Sequence, residues 1–178
     1  MHRLLLNRDI YIELVQGEIP RARDHIWIVT ADIKDMYVAE GGNFIPFLEV
    51  LAAMVERGVA VRLIHAKEPG PRFRDDFDRF DALINNELFE RILCPRVHTK
   101  AVVIDSRLAF VGSANLTGAG LGSKHADKRN FEAGFLFDDV EQIVQLTNWI
   151  DDLYLGNFCT TCRRREYCAD PIIDQIST

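Results

Sequence analysis

The residues best suited to chemistry lie in one stretch of the chain, from His98 to Asn115. His98 and Lys100 are two positions apart, so on a β-strand their side chains project from the same face. Ser113 and Asn115 share a face in the same way. A histidine that can act as nucleophile or base, a fixed positive charge and two neutral donors together suit an anionic tetrahedral centre. This combination indicates phosphate chemistry, where catalysis depends mostly on positioning and charge stabilisation.

The spacing of these residues resembles the signature of the phospholipase D superfamily. The chain has H-x-K, four residues, Asp105, six residues and then G-S-x-N ending at Asn115. Downstream, Asn130-Phe-Glu132 resembles the N-x-E that often follows in this family. Every position of the signature is filled, and a chance match to so many fixed positions is rare. By motif the resemblance covers residues 98–132.

The resemblance implies roles for the residues of the motif. His98 would attack phosphorus to give a phosphohistidine, which water or an alcohol then resolves. Lys100, Ser113 and Asn115 would bind the phosphoryl oxygens. Glu132 would orient a histidine ring through its second nitrogen, as carboxylates do in catalytic triads. The alternative for Glu132 is a solvated charge on a strand.

Two further members of the signature have structural alternatives. Asp105 falls at an expected hairpin turn, with strand parity opposite to that of His98. Because aspartate is common in turns for local hydrogen-bonding reasons, we interpret it as structural, although the family signature places it among the candidate catalytic residues. Asn130 is a candidate substrate-binding residue, and its alternative role is to end a loop.

One copy of the motif supplies one histidine, whereas the family mechanism uses a second to protonate the leaving oxygen. His65-Ala-Lys67 is a partial second copy, but Arg72 stands where the aspartate would be and no G-S-x-N follows. We therefore predict a two-fold homodimer with the two His98 rings facing across its axis, as in the short nucleases of the family. His65 itself is expected to be a packed core histidine, or else to line the rim of the cleft.

The four cysteines predict a metal site. Cys159, Cys162 and Cys168 form C-x2-C-x5-C, and Cys94 is a distant fourth thiolate. Zinc and a 4Fe–4S cluster both accept four cysteines, but zinc ligands usually come as two close pairs. The three-plus-one layout resembles that of the iron-staple nucleases of DNA recombination and CRISPR adaptation, which favours a 4Fe–4S cluster over structural zinc or unligated thiols. Catalysis itself is expected to need no metal.

Alternating strand and helix patterns predict the elements that position the motif. Outside the motif hairpin, strands are predicted at residues 24–30, 59–65, 89–94 and 131–137. Helices are predicted at residues 43–58 and 75–85, and from a cap at Asp138 or Asp139 to near Gly156. The alternation predicts an α/β fold with a mixed central sheet flanked by helices, which agrees with the fold of a single-motif phospholipase D-like half.

Composition sets the broader expectations. The chain has 178 residues, 48% hydrophobic and 27% charged, as in an ordinary globular protein. We expect a catalytic domain at residues 1–156 and a cysteine-rich appendix at 157–178 packed on it. The net charge of −6 argues against a generally basic surface but allows a local basic groove. Without an apolar run long enough for a membrane span or a signal peptide, the expected location is cytoplasmic.

Three functions are consistent with these residues. The favoured function is a nuclease that cuts nucleic acid, with DNA as the favoured partner. The second is a phospholipid headgroup hydrolase or transferase, but no membrane-seeking segment supports a membrane partner. The third is a non-catalytic nucleic-acid-binding module, which would not need His98. Basic residues that could contact a nucleic-acid backbone are Lys124, Lys128, Arg129, Arg163, Arg164 and Arg165.

Overall fold

The computed structural model describes residues 1–34, 36–121 and 123–169. The strands of this part of the chain are β1 (His2–Leu6), β2 (His25–Thr30), β3 (Tyr37–Glu40), β4 (Asn43–Pro46), β5 (Ala60–His65), β6 (Phe89–Leu93), β7 (Lys100–Ile104), β8 (Leu108–Gly112) and β9 (Ala133–Phe137). The α-helices are α1 (Phe47–Glu56), α2 (Pro71–Phe77), α3 (Asp81–Asn85) and α4 (Val140–Tyr154). A π-helical segment spans Ile10–Glu18, and short 3-10 turns lie at Ile19–Arg21, Ala126–Lys128 and Arg165–Tyr167.

Seven strands form one mixed sheet in the order β1-β9-β8-β7-β2-β5-β6. Strands β2, β5 and β6 are parallel and are joined by helical crossovers, through α1 and then through α2 and α3. Strands β2, β7, β8, β9 and β1 are antiparallel in turn. Strands β3 and β4 form a separate hairpin. The predicted fold class, a mixed central sheet flanked by helices, is confirmed.

Helices cover the two faces of the sheet and bury two apolar clusters. On one face, the π-helical segment and α1 pack against alternate side chains of the strands, including Ile28 and Val102. On the other face, α4 places Ile143 and Ile150 against strand residues such as Val103. Successive side chains of a strand point to opposite faces of the sheet. Because helices cover both faces, the strands carry apolar side chains on both.

Helix α4 is capped at its start and fixed to the sheet near its end. At its start, Asp139 accepts a hydrogen bond from the backbone N–H of Gln142 at 3.0 Å, the cap that the sequence predicted. Near its end, the Arg62 guanidinium lies between the rings of Trp27 and Tyr154, 4.3 Å and 3.6 Å from their centroids. Arg62 Nη1 also donates to Asp151 at 2.6 Å. Arg62 therefore holds the end of α4 against β2 and β5.

Several element boundaries differ from the sequence prediction. Residues 43–46 form strand β4 rather than the first turn of a helix, and α1 begins only after Pro46, whose backbone is extended. The helix predicted at 75–85 is two short helices, because the backbone of Phe80 is extended between them. The last strand begins at Ala133 rather than at residue 131.

The N-terminal elements were not predicted. Strand β1 pairs with β9, far away in the sequence, so no local pattern marks its partner. The segment Ile10–Glu18 is π-helical and lacks the 3.6-residue spacing of an α-helix. Within the described residues, no helix has the length and apolar character to cross a membrane. Of the expected appendix at 157–178, residues 170–178 lie outside the described part.

Candidate active site

The motif residues meet at one end of the sheet because strands β7, β8 and β9 form an antiparallel meander. Lys100, the first residue of β7, is paired with Gly112, the last residue of β8. Gly112 is in turn paired with Gly134, next to the start of β9. The H-x-K, G-S-x-N and N-x-E motifs therefore lie side by side, although they are separated in the sequence.

His98 and Lys100 form the centre of this cluster. His98 is exposed, whereas Lys100 is only 8% exposed. The Lys100 ammonium donates to the backbone carbonyl of His98 at 2.7 Å and lies 3.4 Å from Nδ1 of the His98 ring. The sequence prediction placed His98 on the strand itself. It lies instead on the loop before β7, and the lysine side chain turns back to meet it.

Asn115 is oriented by the segment that follows β2. Its side-chain Oδ1 accepts a hydrogen bond from the backbone N–H of Asp32 at 3.2 Å. One residue later, the backbone N–H of Leu116 donates to Oγ1 of Thr30 at 3.1 Å. Because the carbonyl side of the Asn115 amide is held in this way, its Nδ2 is the group left to donate to a substrate. Asp32 and Thr30 are positioning residues that the motif did not reveal.

Glu132 connects the other two motifs. One of its carboxylate oxygens accepts a short hydrogen bond from the Ser113 hydroxyl, and the other accepts from Nδ2 of Asn130 at 3.1 Å. The Ser113 hydroxyl also accepts from the backbone N–H of Ala133 at 3.1 Å. Within the described chain, Glu132 therefore holds Ser113 and Asn130, and not a histidine ring as the sequence prediction had it. Ser113 is correspondingly turned toward Glu132.

Asn7 holds the backbone of Glu132. The Glu132 N–H donates to Oδ1 of Asn7 at 3.0 Å, and the Asn7 N–H donates to the Glu132 carbonyl at 2.8 Å. Asn7 has a φ of 51°, in the left-handed region that asparagine tolerates better than most residues. Sequence reasoning missed this residue, since a single asparagine after an edge strand carries no signal.

The glycine of G-S-x-N is required by packing. The ring of Phe110 crosses beneath the Gly112–Gly134 pair, and a Cβ at Gly112 would lie 2.7 Å from its Cζ. At Gly134 the corresponding distance would be 2.4 Å. The two glycines therefore let a large buried ring support the site from below. This allows β8 and β9 to approach closely where Ser113 meets Ala133.

Asp105 lies at the opposite end of β7 from the site. Asp105 is in a turn with a φ of 52°, and its carboxylate accepts from the backbone N–H groups of Arg23, Asp24 and His25 at 2.9–3.1 Å. Burial acts to raise the pKa of Asp105, but these donors, led by Asp24, hold it below its ordinary value. The structure thus gives Asp105 contacts that fasten the hairpin to the start of β2, and separates it from the other catalytic candidates.

His65 is a core residue, as expected. It is 0% exposed, with Nδ1 2.8 Å from the Lys67 carbonyl and Nε2 accepting from Nε of Arg91 at 2.8 Å. This pattern requires the neutral ring with its proton on Nδ1. Burial, followed by the charge of Arg91, lowers the pKa of His65 to about 4. Both nitrogens are occupied, so the ring has no free atom for catalysis.

A cleft of about 190 Å³, here called the His98 cleft, adjoins the motif cluster. Its walls come from the loop before β7, from α4 and from the turn that follows α4. They are mostly apolar, with His98 and Arg96 beside Val97, Trp149, Leu153 and Phe158. The histidine of the motif is therefore accessible from a pocket that can accept a flat or apolar group.

The cysteines lie at the far side of the same cleft. Cys94 follows β6 and Cys162 lies on the turn after α4, and both line the cleft. Cys162 donates its backbone N–H to the Cys159 carbonyl at 3.1 Å, while Cys168 follows the last 3-10 turn. None of the four forms a disulfide. In residues 1–34, 36–121 and 123–169, no three His, Cys, Asp or Glu side chains are gathered closely enough to hold a metal.

An exposed apolar patch lies beside the site on the outer strands. It consists of Leu4 and Leu6 of β1, Phe135 of β9 and Val111 of β8. Leu4 is paired with Phe135 and Phe135 with Val111, so these side chains form a row on one face of the sheet. Val111 adjoins Gly112 in β8, whereas Leu4 and Phe135 are the middle residues of their strands.

The family model described as the phospholipase D-like domain of cardiolipin synthase matches residues 15–154. The chain therefore belongs to this phospholipase D-like family, whose model and fold support a phosphodiesterase of the phospholipase D superfamily. No curated protein sequence matches the chain significantly.

Solved structures share the fold. NucT from Helicobacter pylori matches with a TM-score of 0.63 and 17% identity, over 85% of this chain and 94% of that one. Nuc from Salmonella typhimurium, a phospholipase D family member, matches with a TM-score of 0.58 and 16% identity, over 85% and 93%. The archaeal chromatin protein TrmBL2, described as showing a novel mode of DNA binding, matches with a TM-score of 0.58 and 14% identity, over 86% and 52%. At these identities, the likeness establishes the fold.

Proposed function

We propose that this protein is a metal-independent nuclease that hydrolyses the phosphodiester bonds of nucleic acid through a phosphohistidine. The observation that carries the proposal is the placement of the buried Lys100 ammonium 3.4 Å from the exposed ring of His98. A fixed charge beside an accessible histidine suits attack on an anionic phosphorus centre better than simple binding. The similarity of the fold to NucT and Nuc supports this choice of substrate.

In the proposed reaction, a ring nitrogen of His98 attacks phosphorus while the bond from phosphorus to the leaving oxygen breaks. Lys100 and Nδ2 of Asn115 stabilise the charge on the other phosphoryl oxygens. The leaving oxygen takes a proton from a second histidine. That histidine then removes a proton from a water molecule. The water oxygen attacks phosphorus, the N–P bond to His98 breaks, and the phosphate monoester is released.

The second histidine comes, in this proposal, from a second copy of the chain. His65 cannot supply it because both of its nitrogens are engaged in the core. A two-fold dimer would bring two His98 rings together and contribute one motif from each protomer. The exposed row Leu4, Phe135 and Val111 is an apolar surface that such a partner would bury.

Positive charge near the site also suits a polyanion. Lys124 and Lys128 are exposed on the segment between Asn115 and Asn130, whose ends both belong to the site. Such residues would contact phosphates that flank the scissile bond. Two exposed lysines add steering and affinity but no sequence preference.

The decisive experiment is cleavage of labelled DNA and RNA in excess EDTA by the native chain, by His98→Ala and by a control variant, His2→Ala. His2 lies on β1 at the opposite end of the sheet from the site. We expect cleavage that resists EDTA, persists in the control and is lost in His98→Ala. Cleavage retained by His98→Ala would overturn the mechanism. Binding without cleavage would favour a binding module, and sedimentation with phospholipid vesicles would favour the lipid reaction.

We also propose that Cys94, Cys159, Cys162 and Cys168 hold a 4Fe–4S cluster, with structural zinc as the alternative. Four thiolates are a suitable donor set for either. Cys94 and Cys162 both line the His98 cleft, which supports the proposal. The bound group would tie the segment from 159 to 168 to the loop before β7. Iron, sulfide and zinc analysis with a visible absorption spectrum of anaerobically purified protein tests this, and absence of all three would overturn it.

A further inference from the structure

The proposed hydrolysis uses His98 but gives no role to the apolar walls of the His98 cleft. These walls carry two aromatic side chains, Trp149 on α4 and Phe158 on the turn that follows. Phe158 is 41% exposed, so its ring is accessible to a ligand in the cleft. An accessible aromatic ring on the same cleft as the reacting histidine offers a stacking surface.

The size of the cleft limits what it can hold. At about 190 Å³, it is smaller than the pockets of ~300–1,000 Å³ that enclose drug-sized ligands. It can hold one flat ring system but not a lipid chain together with its headgroup. Arg96 at the same cleft adds positive charge, which favours a ligand that carries phosphate.

The chemistry of a nucleic-acid substrate indicates which group would enter the His98 cleft. In a nucleic acid, each phosphate is joined through one sugar to a base, so a phosphate at His98 brings a base to the neighbouring surface. Bases stack on aromatic side chains whatever their sequence. On the basis of the nuclease function proposed above, we infer that the His98 cleft binds the nucleobase next to the scissile phosphate, so that the substrate is single-stranded nucleic acid.

The restriction to single strands follows from the walls of the cleft. A base that enters between α4 and the turn carrying Phe158 cannot remain stacked and paired in a duplex. Duplex substrates would first have to unpair and unstack that base, at a cost in free energy that an unpaired strand does not have. The cleft therefore discriminates single-stranded from duplex nucleic acid and does not read the base sequence.

The test compares binding and EDTA-resistant cleavage of a labelled single strand with those of the same strand in a duplex. The variants are Phe158→Ala, Phe158→Leu and a control, Phe44→Ala, which removes an exposed phenylalanine of β4. Phe158→Leu keeps an apolar side chain without the ring. We expect Phe158→Ala to weaken single-strand binding roughly 5- to 100-fold, Phe158→Leu to weaken it less, and Phe44→Ala to change nothing.

A strand with one abasic position, moved along the sequence, gives an independent readout. Cleavage next to the abasic position should fall in the native chain, and Phe158→Ala should add no further loss there, because the two changes remove the same contact. Equal cleavage of single strand and duplex, or no effect of Phe158→Ala, would overturn the inference.

The same experiments separate this inference from the nuclease proposal. Single-strand binding that depends on Phe158, without His98-dependent cleavage, would support the base site and overturn the nuclease. Cleavage that depends on His98, but is the same for Phe158→Ala and for single-stranded and duplex substrates, would support the nuclease and overturn the base site. Absence of binding to either form would overturn both.

Discussion

Asn7 and Glu132 are joined by two hydrogen bonds, one between their backbones and one from the Glu132 N–H to the Asn7 side chain, although 125 positions separate them in the chain. Glu132 in turn accepts from Ser113 and Asn130. The first strand of the fold therefore ends at a residue that positions the central carboxylate of the site. This connection explains how an element with no motif can affect catalysis, and it leads to the first prediction.

Replacement of Asn7 should lower activity more than its distance from His98 suggests. Asn7→Ala removes the acceptor and also places alanine at a positive φ, which costs about 1–2 kcal/mol of unfolding free energy. Asn7→Gly removes the acceptor but tolerates the backbone conformation. We expect both variants to lower kcat with little change in KM, and Asn7→Ala to be the less stable in thermal unfolding. Full kcat in Asn7→Gly would show that the side chain does not position Glu132.

Lys100→Met tests the charge beside His98. Methionine has a similar length and can remain in the nearly buried position, so the fold should be retained. We expect kcat to fall about 10²- to 10³-fold, the loss typical of removing one group that stabilises developing charge. Arg21→Met, which removes an exposed positive charge from the 3-10 turn Ile19–Arg21, is the control. A kcat within a few-fold of the native value would mean that Lys100 serves only the packing of the loop.

His65 should make stability depend on pH between about 4 and 6.5. Its pKa is about 4 in the folded chain and near 6.5 when unfolded, so in this interval the unfolded chain binds the additional proton. Stability therefore falls as the pH falls, by about 3 kcal/mol in all. His65→Gln cannot titrate, so the difference in unfolding free energy between the two proteins should shrink from pH 7 to pH 4.5. A difference that stays constant, measured by urea unfolding, would contradict this.

A charge in the apolar patch should separate the protomers of the proposed dimer. Phe135→Lys places an ammonium in the row that the partner would cover, where burial of an unpaired charge is strongly unfavourable. We expect a monomer by light scattering and loss of cleavage, while Phe44→Lys, at a site with 67% exposure on β4, keeps the native mass. A native chain that is active as a monomer would refute both the dimer and the shared site.

Much of this architecture could be predicted because its signals are local. The spacing of H-x-K and G-S-x-N predicts one site, and the antiparallel meander of β7 and β8 brings Lys100 and Gly112 together as that spacing requires. The alternation of strands and helices predicts the mixed sheet. Asp105 does lie in the predicted turn, but its carboxylate holds the backbone of residues 23–25 rather than the turn itself, which no local signal predicts.

The parts that could not be predicted depend on contacts between distant segments. Strand β1 and Asn7 acquire their roles only through β9, and Glu132 meets Ser113 only when the meander has formed. The His98 cleft joins residues from before β7, from α4 and from the turn after it. Neither hydrophobic periodicity nor motif spacing predicts contacts between such distant segments, since both describe residues that are close along the chain.

The pairing of β1 with β9 also bears on the order in which the protein is made. Residues 2–6 leave the ribosome before their partner strand, residues 133–137, which emerges only after all three motifs have been translated. Until then Glu132 lacks its Asn7 clamp, and α4, a wall of the cleft, is absent. Translation products that stop short of β9 would carry the reactive histidine without a formed site.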